Sequence, residues 1–330
     1  MMLYNGYNTS LSQASYTGPS YNAQWQHGMD WVRENTDDDT VFAHWWDYGY
    51  WVQTGGERAT ISDGGNALAA INHFTGRHLM TGQSDLEALE FLASKEVTHV
   101  LMISDEIGKY GAYSSIGADA DYDRYSWINT FGLDLSQTQE TRNETVYVYQ
   151  SGTALDDDFV YGDKLFPAYS TAVIAVLMPT VENDGILEIM QPEVVLYYNG
   201  VQYNVPMSCI YYNGEEIIFG EGEGYLESCF MIIPTSSNGE VNLIGAGLYL
   251  SHDVWQSRVA QWYLFGNEGE YVNLVYDDST SGYPLMLYNG MLIGPLKIWE
   301  VSYPEDIEIP AEYYLDEIPA DVIQVNEDIS

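Results

Sequence analysis

The sequence predicts a mixed α+β protein, with an α/β central core followed by an antiparallel β-rich region of barrel or sandwich type. Up to about residue 104, helical patterns alternate with short buried strands, an order typical of an α/β unit. From Thr145 onward apolar and polar residues alternate, and repeated Asn-Gly pairs, the first at 199–200, mark hairpin turns. We therefore expect the central core over residues 21–165 and the β-rich region over residues 166–330.

The core is expected to begin with a helix and a strand. Residues 23–35 carry Trp25, Met29 and Val32 at helical spacing, which predicts an amphipathic helix. The segment Thr40–Ala43 leads into a densely apolar and aromatic stretch, and it predicts a short buried strand that ends in a turn.

A second helix is predicted over Ser84–Lys95, and a buried strand follows it at Thr98–Ile103. Ser84 is a typical N-cap, and Glu87 completes a capping box with it. Three leucines form the predicted apolar face of this helix, namely Leu86, Leu89 and Leu92.

The composition is strongly acidic. The chain has 330 residues, and its 10 Lys and Arg stand against 49 Asp and Glu, a formal net charge of −39. With 46% apolar and 14% aromatic residues it does not have the composition of a disordered chain. The scarcity of basic residues excludes nucleic acid as a partner and disfavours binding to anionic lipids. The acidity indicates either a surface that stays hydrated in a salt-rich medium, which we favour, or a cation-binding surface.

Cys209 and Cys229 are the two cysteines of the chain, and they lack the CxxC spacing of a zinc site. Two states remain open for them, a disulfide if the chain lies outside the cell or a pair of buried thiols. No apolar run approaches the ~20 residues that cross a bilayer, and the first residues do not have the pattern of a signal peptide. We therefore expect the chain as given to be soluble.

The most unusual string is Trp45-Trp46-Asp47, followed by Tyr48 and Gly49. Indole N–H groups are hydrogen-bond donors and a carboxylate is an acceptor, so together they can hold one hydroxyl group in an aromatic pocket. The simpler interpretation is that both Trp side chains fill the core and that Asp47 caps a turn.

Two motifs carry a resemblance to a known family. The string WWDYGYW at 45–51 resembles the WWDYG signature of the oligosaccharyltransferase catalytic subunit, the enzyme of asparagine-linked glycosylation. The preceding stretch 29–36 is similar to the family's sequence before that signature. A second family signature, D-x-x-K-x-x-x-M/I, resembles the string ISDEIGKYGAY, in which Lys109 matches the lysine. Glu106 stands at the acidic position and Tyr113 at the Met or Ile position, and both are departures from the pattern.

The resemblance implies a set of sequon-binding residues. In the family, the two Trp and the Asp bind the Ser or Thr at position +2 of the acceptor sequon Asn-X-Ser/Thr. The matching residues here are Trp45, Trp46 and Asp47. Lys109, Glu106 and Tyr113 are expected to flank the same pocket, and Tyr113 is expected to contact the methyl group of an acceptor Thr. Tyr48 and Gly49 are expected to serve as scaffold for the turn.

The resemblance also implies parts that this chain lacks. The family binds a divalent metal, Mn²⁺ or Mg²⁺, with residues of a large N-terminal transmembrane region, so residues 1–20 are expected to be a linker from that region. We expect no metal site and no catalytic residue in this chain. The acidic run Asp119–Asp123 has the first spacings of a calcium loop, but Arg124 stands where an EF-hand needs Gly. A solvated acidic loop is therefore the favoured interpretation of this run.

The function implied is the recognition of acceptor polypeptides at the extracytoplasmic face of the cell membrane. The membrane part would then transfer the glycan of a lipid-linked oligosaccharide to the Asn side chain, and this chain alone would transfer nothing. The alternatives are a secreted halophilic surface-layer module and a carbohydrate-binding β-domain. Two sequons, at Asn8 and Asn143, are candidate glycosylation sites of the chain itself.

Overall fold

The computed structural model describes residues 20–142, 144–183, 186–314 and 318. The predicted linker therefore lies outside the described residues except for Ser20, and so do the sequon residues Asn8 and Asn143. Within the described part, no helix is both long and apolar enough to cross a membrane.

The helical elements are grouped at the two ends of the described chain. The α-helices are α1 (Ala23–Asn35), α2 (Gly49–Trp51), α3 (Ala69–Phe74), α4 (Asp85–Ser94), α5 (Asp105–Gly117) and α6 (His252–Gln256). Turns of 3₁₀-helix cover Trp46–Tyr48, Ser279–Ser281 and Ala311–Tyr314, and π-helical turns cover Val52–Gly56, Thr75–Met80 and Val259–Phe265.

The strands run along the whole described chain. In chain order they are β1 (Val41–Ala43), β2 (Ala59–Thr60), β3 (His99–Ile103), β4 (Asn129–Leu133), β5 (Gln139–Glu140), β6 (Thr145–Ala154), β7 (Phe159–Tyr161), β8 (Lys164–Phe166), β9 (Ala172–Asn183), β10 (Ile186–Ile189), β11 (Glu193–Tyr198), β12 (Val201–Tyr212), β13 (Glu215–Ile218), β14 (Leu226–Ser237), β15 (Glu240–Ser251), β16 (Val272–Asp277), β17 (Met286–Tyr288), β18 (Met291–Ile293) and β19 (Leu296–Val301).

A five-stranded sheet forms the α/β part of the fold, in the order β16–β19–β3–β1–β2. Strand β1 pairs in parallel with both β2 and β3, while β19 pairs antiparallel with β3 and with β16. Strand β3 is buried at all of its residues, as expected of a strand inside a covered sheet. The predicted β–α–β order is therefore confirmed.

The second sheet closes into a barrel. Strands β12, β11, β9, β6, β4, β15 and β14 are paired in that order, and β14 pairs back to β12, which makes a ring of 7 strands. The other strands of this sheet add to the ring: β10 on β9, β5 on β6, β13 on β12, and β17 followed by β18 on β14. The predicted fold class, a mixed core with an antiparallel β-rich barrel or sandwich, is thus confirmed, with the barrel as the form taken.

The division between the two sheets does not follow the predicted boundary at residues 165 and 166. Strands β4 and β6 precede that boundary and belong to the barrel, whereas β16 and β19 follow it and complete the five-stranded sheet. The physical reason is that a strand's apolar pattern reveals which face is buried, but it does not reveal which sheet the strand joins.

The two long predicted helices of the core form as expected. Helix α1 begins after Asn22, whose side chain accepts the backbone N–H of Trp25 at 3.2 Å. Helix α4 begins after Ser84, whose hydroxyl oxygen accepts the N–H of Glu87 at 3.2 Å. The predicted apolar face of α4 is wrong in one position, because Leu86 is 54% exposed while Phe91 is buried. The helix packs against the π-helical turn Thr75–Met80 and the 3₁₀ turn Ala311–Tyr314, and the leucine spacing alone did not specify these neighbours.

The two cysteines form a disulfide, which decides between the states that the sequence left open. Cys209 on β12 and Cys229 on β14 are direct partners in the parallel ladder that closes the barrel, and both are fully buried. The cross-link therefore joins the two strands at which the ring is completed.

Reduction of this disulfide is expected to lower the free energy of unfolding by about 3 kcal/mol, because it closes a loop with a sequence separation of 20 residues. Urea unfolding of the oxidised chain with and without a thiol reductant measures the difference. The matched control is the double variant Cys209→Ala/Cys229→Ala, whose unfolding curve is expected to be the same with and without reductant. An oxidised chain that unfolds at the same urea concentration in both conditions would contradict the expectation.

Candidate functional site

The parallel pairing of β1 and β3 brings the two motifs together. In parallel strands the carboxyl ends lie at the same edge of the sheet, where ligand sites of such sheets commonly form. The WWDYG motif starts two residues after β1 ends at Ala43, and helix α5 follows β3 directly after Ser104. Lys109 on α5 therefore meets Asp47, although 62 positions separate them in the sequence.

The turn that carries Asp47 depends on a glycine. Trp46–Tyr48 form one turn of 3₁₀-helix, and Gly49 continues directly into α2. A Cβ atom placed on Gly49 would lie 2.3 Å from the carbonyl oxygen of Ser62 and 2.5 Å from the Cα of Asp63. Any side chain at this position would therefore displace the loop after β2, and the expected scaffold role of Gly49 is consistent with this contact.

An ion pair and a buried phenol hold the carboxylate in place. The Lys109 ammonium donates to Asp47 Oδ2 at 2.7 Å and to the Tyr48 hydroxyl oxygen at 3.0 Å, and it lies 4.7 Å from the centre of the Tyr48 ring. The Tyr48 hydroxyl donates to Asp105 Oδ2 at 3.5 Å. Burial, and then the charges of nearby carboxylates, raise the pKa of Tyr48, so the phenol remains a donor.

Asp47 and Lys109 stand at a cleft of about 620 Å³. Their side chains are 27% and 34% exposed, so the pair is reachable from solvent. The cleft is lined by Asn22, the N-cap of helix α1, by Trp25 of that helix and by Ile293 of strand β18. Asp47 Oδ1 makes no hydrogen bond to a described residue, so one oxygen of a fixed carboxylate remains free to accept one.

The two Trp of the motif lie behind the turn. Trp45 is only 2% exposed and Trp46 is partly buried against the main core, with 6.4 Å between their ring centres. Neither indole N–H donates to a residue of the described chain. Both donors are therefore unused among the described residues.

Tyr113 does not occupy the position expected of it. Its side chain is completely buried, packs edge-on against Trp45 at 5.6 Å, and donates its hydroxyl to the backbone oxygen of Glu106 at 3.0 Å. Lys109, one turn earlier on α5, reaches the cleft because its long side chain extends along the helix surface, whereas the Tyr113 ring points inward. Contact between Tyr113 and an acceptor methyl group stays a prediction.

Glu106 is buried beneath the cleft rather than in its wall. One oxygen, Oε2, accepts the backbone N–H of Ile103 at 2.9 Å, while Oε1 has no hydrogen-bond partner. Burial raises the pKa of Glu106 to about 8, against an ordinary value of 4.5. This carboxyl is therefore mostly neutral at pH 7, and it fixes the end of β3 from which the Lys109 helix begins.

His44 precedes the motif and is fully buried. Its Nδ1 donates to the Trp45 backbone oxygen at 2.8 Å, and burial lowers the pKa of the ring to about 4. A neutral packed histidine, not a ligand, is what these contacts describe.

The residues that could bind a metal do not fit a divalent ion. Among the described residues, Cys209, Glu216 and Cys229 are the one group of ligand atoms close enough to share an ion, and the two sulfurs are joined in the disulfide. In the Asp119–Asp123 run, Asp123 forms a two-point pair with Arg77 at 2.9 and 2.7 Å, and Asp119 accepts backbone N–H groups of the same loop. These carboxylates thus bond to groups of the protein, and the interpretation of the run as a solvated acidic loop stays a prediction.

Comparison with known proteins gives the class of this region. Residues 37–151 match the family model described as the STT3/PglB/AglB core domain, and this range contains both Asp47 and Lys109. The resemblance to the oligosaccharyltransferase catalytic subunit is thus confirmed.

Two individual proteins that are similar to this chain are also named as glycotransferases. A dolichyl-phosphooligosaccharide-protein glycotransferase 1 of Pyrococcus furiosus is 30% identical over 95 residues, which are 28% of this chain and 10% of the relative. A glycotransferase 2 of Pyrococcus horikoshii is 18% identical over 320 residues, 89% of this chain and 40% of the relative. This chain thus spans less than half of either relative's length.

One solved structure with a similar course is the archaeal oligosaccharyltransferase AglB from Archaeoglobus fulgidus, in complex with an inhibitory peptide and a dolichol-phosphate. It is 15% identical, with a TM-score of 0.43, and the match covers 90% of this chain and 34% of that one.

Sequence reasoning missed two parts of the cleft. Asp105 lies beside the predicted signature and meets the Tyr48 hydroxyl, and its position next to Glu106 was the available signal. The wall that contains Ile293 comes from far along the chain, and no local pattern connects it to the WWDYG motif.

The buried Glu106 is expected to make stability depend on pH. Its pKa is higher in the folded chain than in the unfolded chain, so the folded state binds the proton more tightly. Its stabilising contribution is therefore complete below about pH 4.5 and is lost as pH rises to about 8, by at most about 1.4 kcal/mol per pH unit. The variant Glu106→Gln cannot ionise, so its free energy of unfolding should rise relative to the unmodified chain between pH 5 and pH 8.

Urea unfolding at several pH values measures this difference, which is insensitive to the many other carboxyl groups. The control variant Glu305→Gln changes an exposed residue and should follow the unmodified chain at every pH. Parallel curves for Glu106→Gln and the unmodified chain would show that Glu106 has no such effect.

Proposed function

We propose that this chain is the acceptor-recognising part of an enzyme that transfers an oligosaccharide from a dolichyl-linked carrier to the Asn of an Asn-X-Ser/Thr sequon. The observation that carries the proposal is the contact between Asp47 and Lys109, at 2.7 Å, inside a region that matches the core domain of this enzyme family. The names of the relatives, which are glycotransferases acting on dolichyl-phosphooligosaccharide and protein, support the substrate class.

The geometry suits the recognition of one hydroxyl group. With Oδ2 of Asp47 held by Lys109, Oδ1 can accept the hydroxyl proton of a Ser or Thr, and the unused indole N–H of Trp46 can donate to the hydroxyl oxygen. A hydrogen bond to a charged acceptor contributes about 1.5–3 kcal/mol, enough to favour a sequon over an Asn-X-Ala sequence. Trp45, Glu106 and Tyr113 then support the pocket from behind, whereas Asp47 and Trp46 contact the acceptor.

The transfer step itself is not assigned to residues of this chain. The Mn²⁺ or Mg²⁺ that the family resemblance implies is proposed to bind outside the described residues, since their ligand groups do not suit a divalent ion. When bound, such an ion supplies a Lewis acid for the leaving phosphate. We further propose that the whole protein is anchored in the membrane, with this chain on its extracytoplasmic side, where acceptor polypeptides and the buried disulfide would both be found.

Substitution of the motif in the full-length protein tests the proposal. Asp47→Asn and Trp46→Ala should each lower the rate of glycosylation of a sequon peptide by about ten- to a hundredfold at subsaturating peptide, because each removes a hydrogen bond to the acceptor. Asp306→Asn, which changes an exposed carboxyl group far along the chain, should leave the rate unchanged.

Circular dichroism of each variant separates the two outcomes that matter. Loss of transfer with an intact fold supports the recognition site. Full transfer by both motif variants, or loss of transfer that only accompanies unfolding, would favour the core-filling role of the Trp pair and contradict the proposal.

The net charge of −39 leads us to propose adaptation to a salt-rich medium. The carboxylates repel one another more strongly as the Debye length increases from about 3 Å at 1 M salt to about 10 Å at 0.1 M. The thermal midpoint of unfolding should therefore fall when NaCl is lowered from 2 M to 0.1 M. A midpoint that is independent of NaCl would exclude this explanation of the acidity.

A further inference from the structure

The hairpin of β17 and β18 ends the twelve-stranded sheet beside the cleft. The two strands are joined by Asn289 and Gly290, whose φ angles of 49° and 81° belong to the two-residue turn that suits a tight hairpin. Tyr288 pairs with Met291 across this turn. Strand β18 is therefore the outermost strand of the described sheet at this end.

The direction of the peptide groups in this hairpin follows from the register. On the inner side, the backbone N–H of Asn289 donates to the backbone oxygen of Ser236 on β14 at 2.8 Å. Successive residues of a strand direct their peptide groups to opposite sides. The backbone N–H and C=O of Tyr288 therefore point toward β18, where they form hydrogen bonds with the backbone of Met291. By the same alternation, the N–H and C=O of Leu292 point away from β17, to the free edge.

This free edge lies at the cleft. Leu292 and Ile293 line it together with Asp47 and Lys109, and no described residue bonds to the outward peptide groups of Leu292. The Leu292 side chain packs against the main core and holds the strand in place, while Met291 is 64% exposed.

The composition of this edge is unusual for the chain. From Pro284 to Leu296 the sequence contains no charged residue, although the net charge of the chain is −39. Edge strands are ordinarily protected from pairing by charged side chains, by a bulge or by a covering segment. Strand β18 has none of these three protections among the described residues, although it is short, with three residues, so its edge can pair with another extended chain only at Leu292.

We propose that strand β18 is a docking strand for the acceptor polypeptide, which adds to its free edge as an extended strand. This inference rests on the proposed function, because the edge is continuous with the cleft that holds Asp47. Main-chain hydrogen bonds are independent of side-chain identity. They would give the sequon site extra affinity for an extended acceptor while tolerating any residue at position X and in the flanking sequence.

Acceptor peptides with single N-methyl groups test the proposal without altering the protein. A labelled peptide with a central Asn-Val-Thr sequon is N-methylated at one flanking amide at a time, and its affinity for the full-length protein is measured by fluorescence polarisation. We expect about a tenfold loss of affinity at one amide, or at alternate amides, on one side of the sequon. Intervening positions should change less than twofold, because their N–H groups point away from β18.

A protein variant identifies the strand. Leu292→Pro removes the outward N–H and obstructs the edge, so the difference between N-methylated and unmethylated peptides should disappear. Leu292→Ala keeps the backbone donor and should preserve the alternating pattern. If Leu292→Pro does not fold, the peptide series on the unmodified protein still decides the matter.

The outcomes separate this inference from the proposed function. A peptide in which Ala replaces the sequon Thr should bind more weakly in every case, and equal binding would contradict the proposed function itself. If that peptide binds more weakly but N-methylation has the same small effect on affinity at every position, only the docking-strand proposal is overturned. In a third outcome, N-methylation again has the same small effect at every position, and the affinity for the peptide increases when residues 1–19 are deleted. That result would indicate that this segment of the chain occupies the edge, and it would also overturn the proposal.

Discussion

The parallel pairing of β1 with β3 is the constraint on which the candidate site depends. It places Phe42 opposite His99 and Ala43 opposite Val100, so both strands end at the same edge of the sheet. The WWDYG turn leaves from one strand and helix α5 from the other, which leaves Lys109 within 2.7 Å of Asp47. A shift of this register would move the WWDYG turn along the strand direction relative to helix α5 and separate Asp47 from Lys109.

Burial organises the charges around this pair. Lys109 interacts with the carboxyl groups of Asp47 and Glu106, and in a chain with 10 basic residues such a cation is scarce. Because burial raises the pKa of Glu106 to about 8, that carboxyl is largely neutral at pH 7 and does not compete with Asp47 for the ammonium. The low-dielectric surroundings of Glu106 thus leave the Lys109 ammonium to pair with the Asp47 carboxylate, which faces solvent. The acceptor group that remains, Asp47 Oδ1, is suited to a neutral hydroxyl.

The α/β core and the β-barrel supply different residues and different kinds of interaction to the cleft. The core supplies specific chemistry from two short motifs, whereas the barrel supplies a wall through β17 and β18, which extend from β14 of the ring. The disulfide between Cys209 and Cys229 joins β12 to the same β14, so the strand that carries this wall is also the strand at which the barrel closes. The proposed side-chain site for the sequon and the proposed main-chain docking edge therefore lie on separate parts of one fold.

Local signals in the amino-acid sequence were enough to predict individual elements and the two motifs. Apolar spacing and caps predicted α1 and α4, alternation and Asn-Gly pairs predicted the hairpins, and the motif strings identified Asp47 and Lys109, because each of these signals acts over a few neighbouring residues. Contacts between distant segments became visible in the folded chain alone, namely the inward position of Tyr113, the pairing of the cysteines, and the return of β16 and β19 to the first sheet. Strand propensity states that a segment will be extended and which face is apolar, but its partner is selected by the packing of the whole chain, and the walls of the cleft follow from that selection.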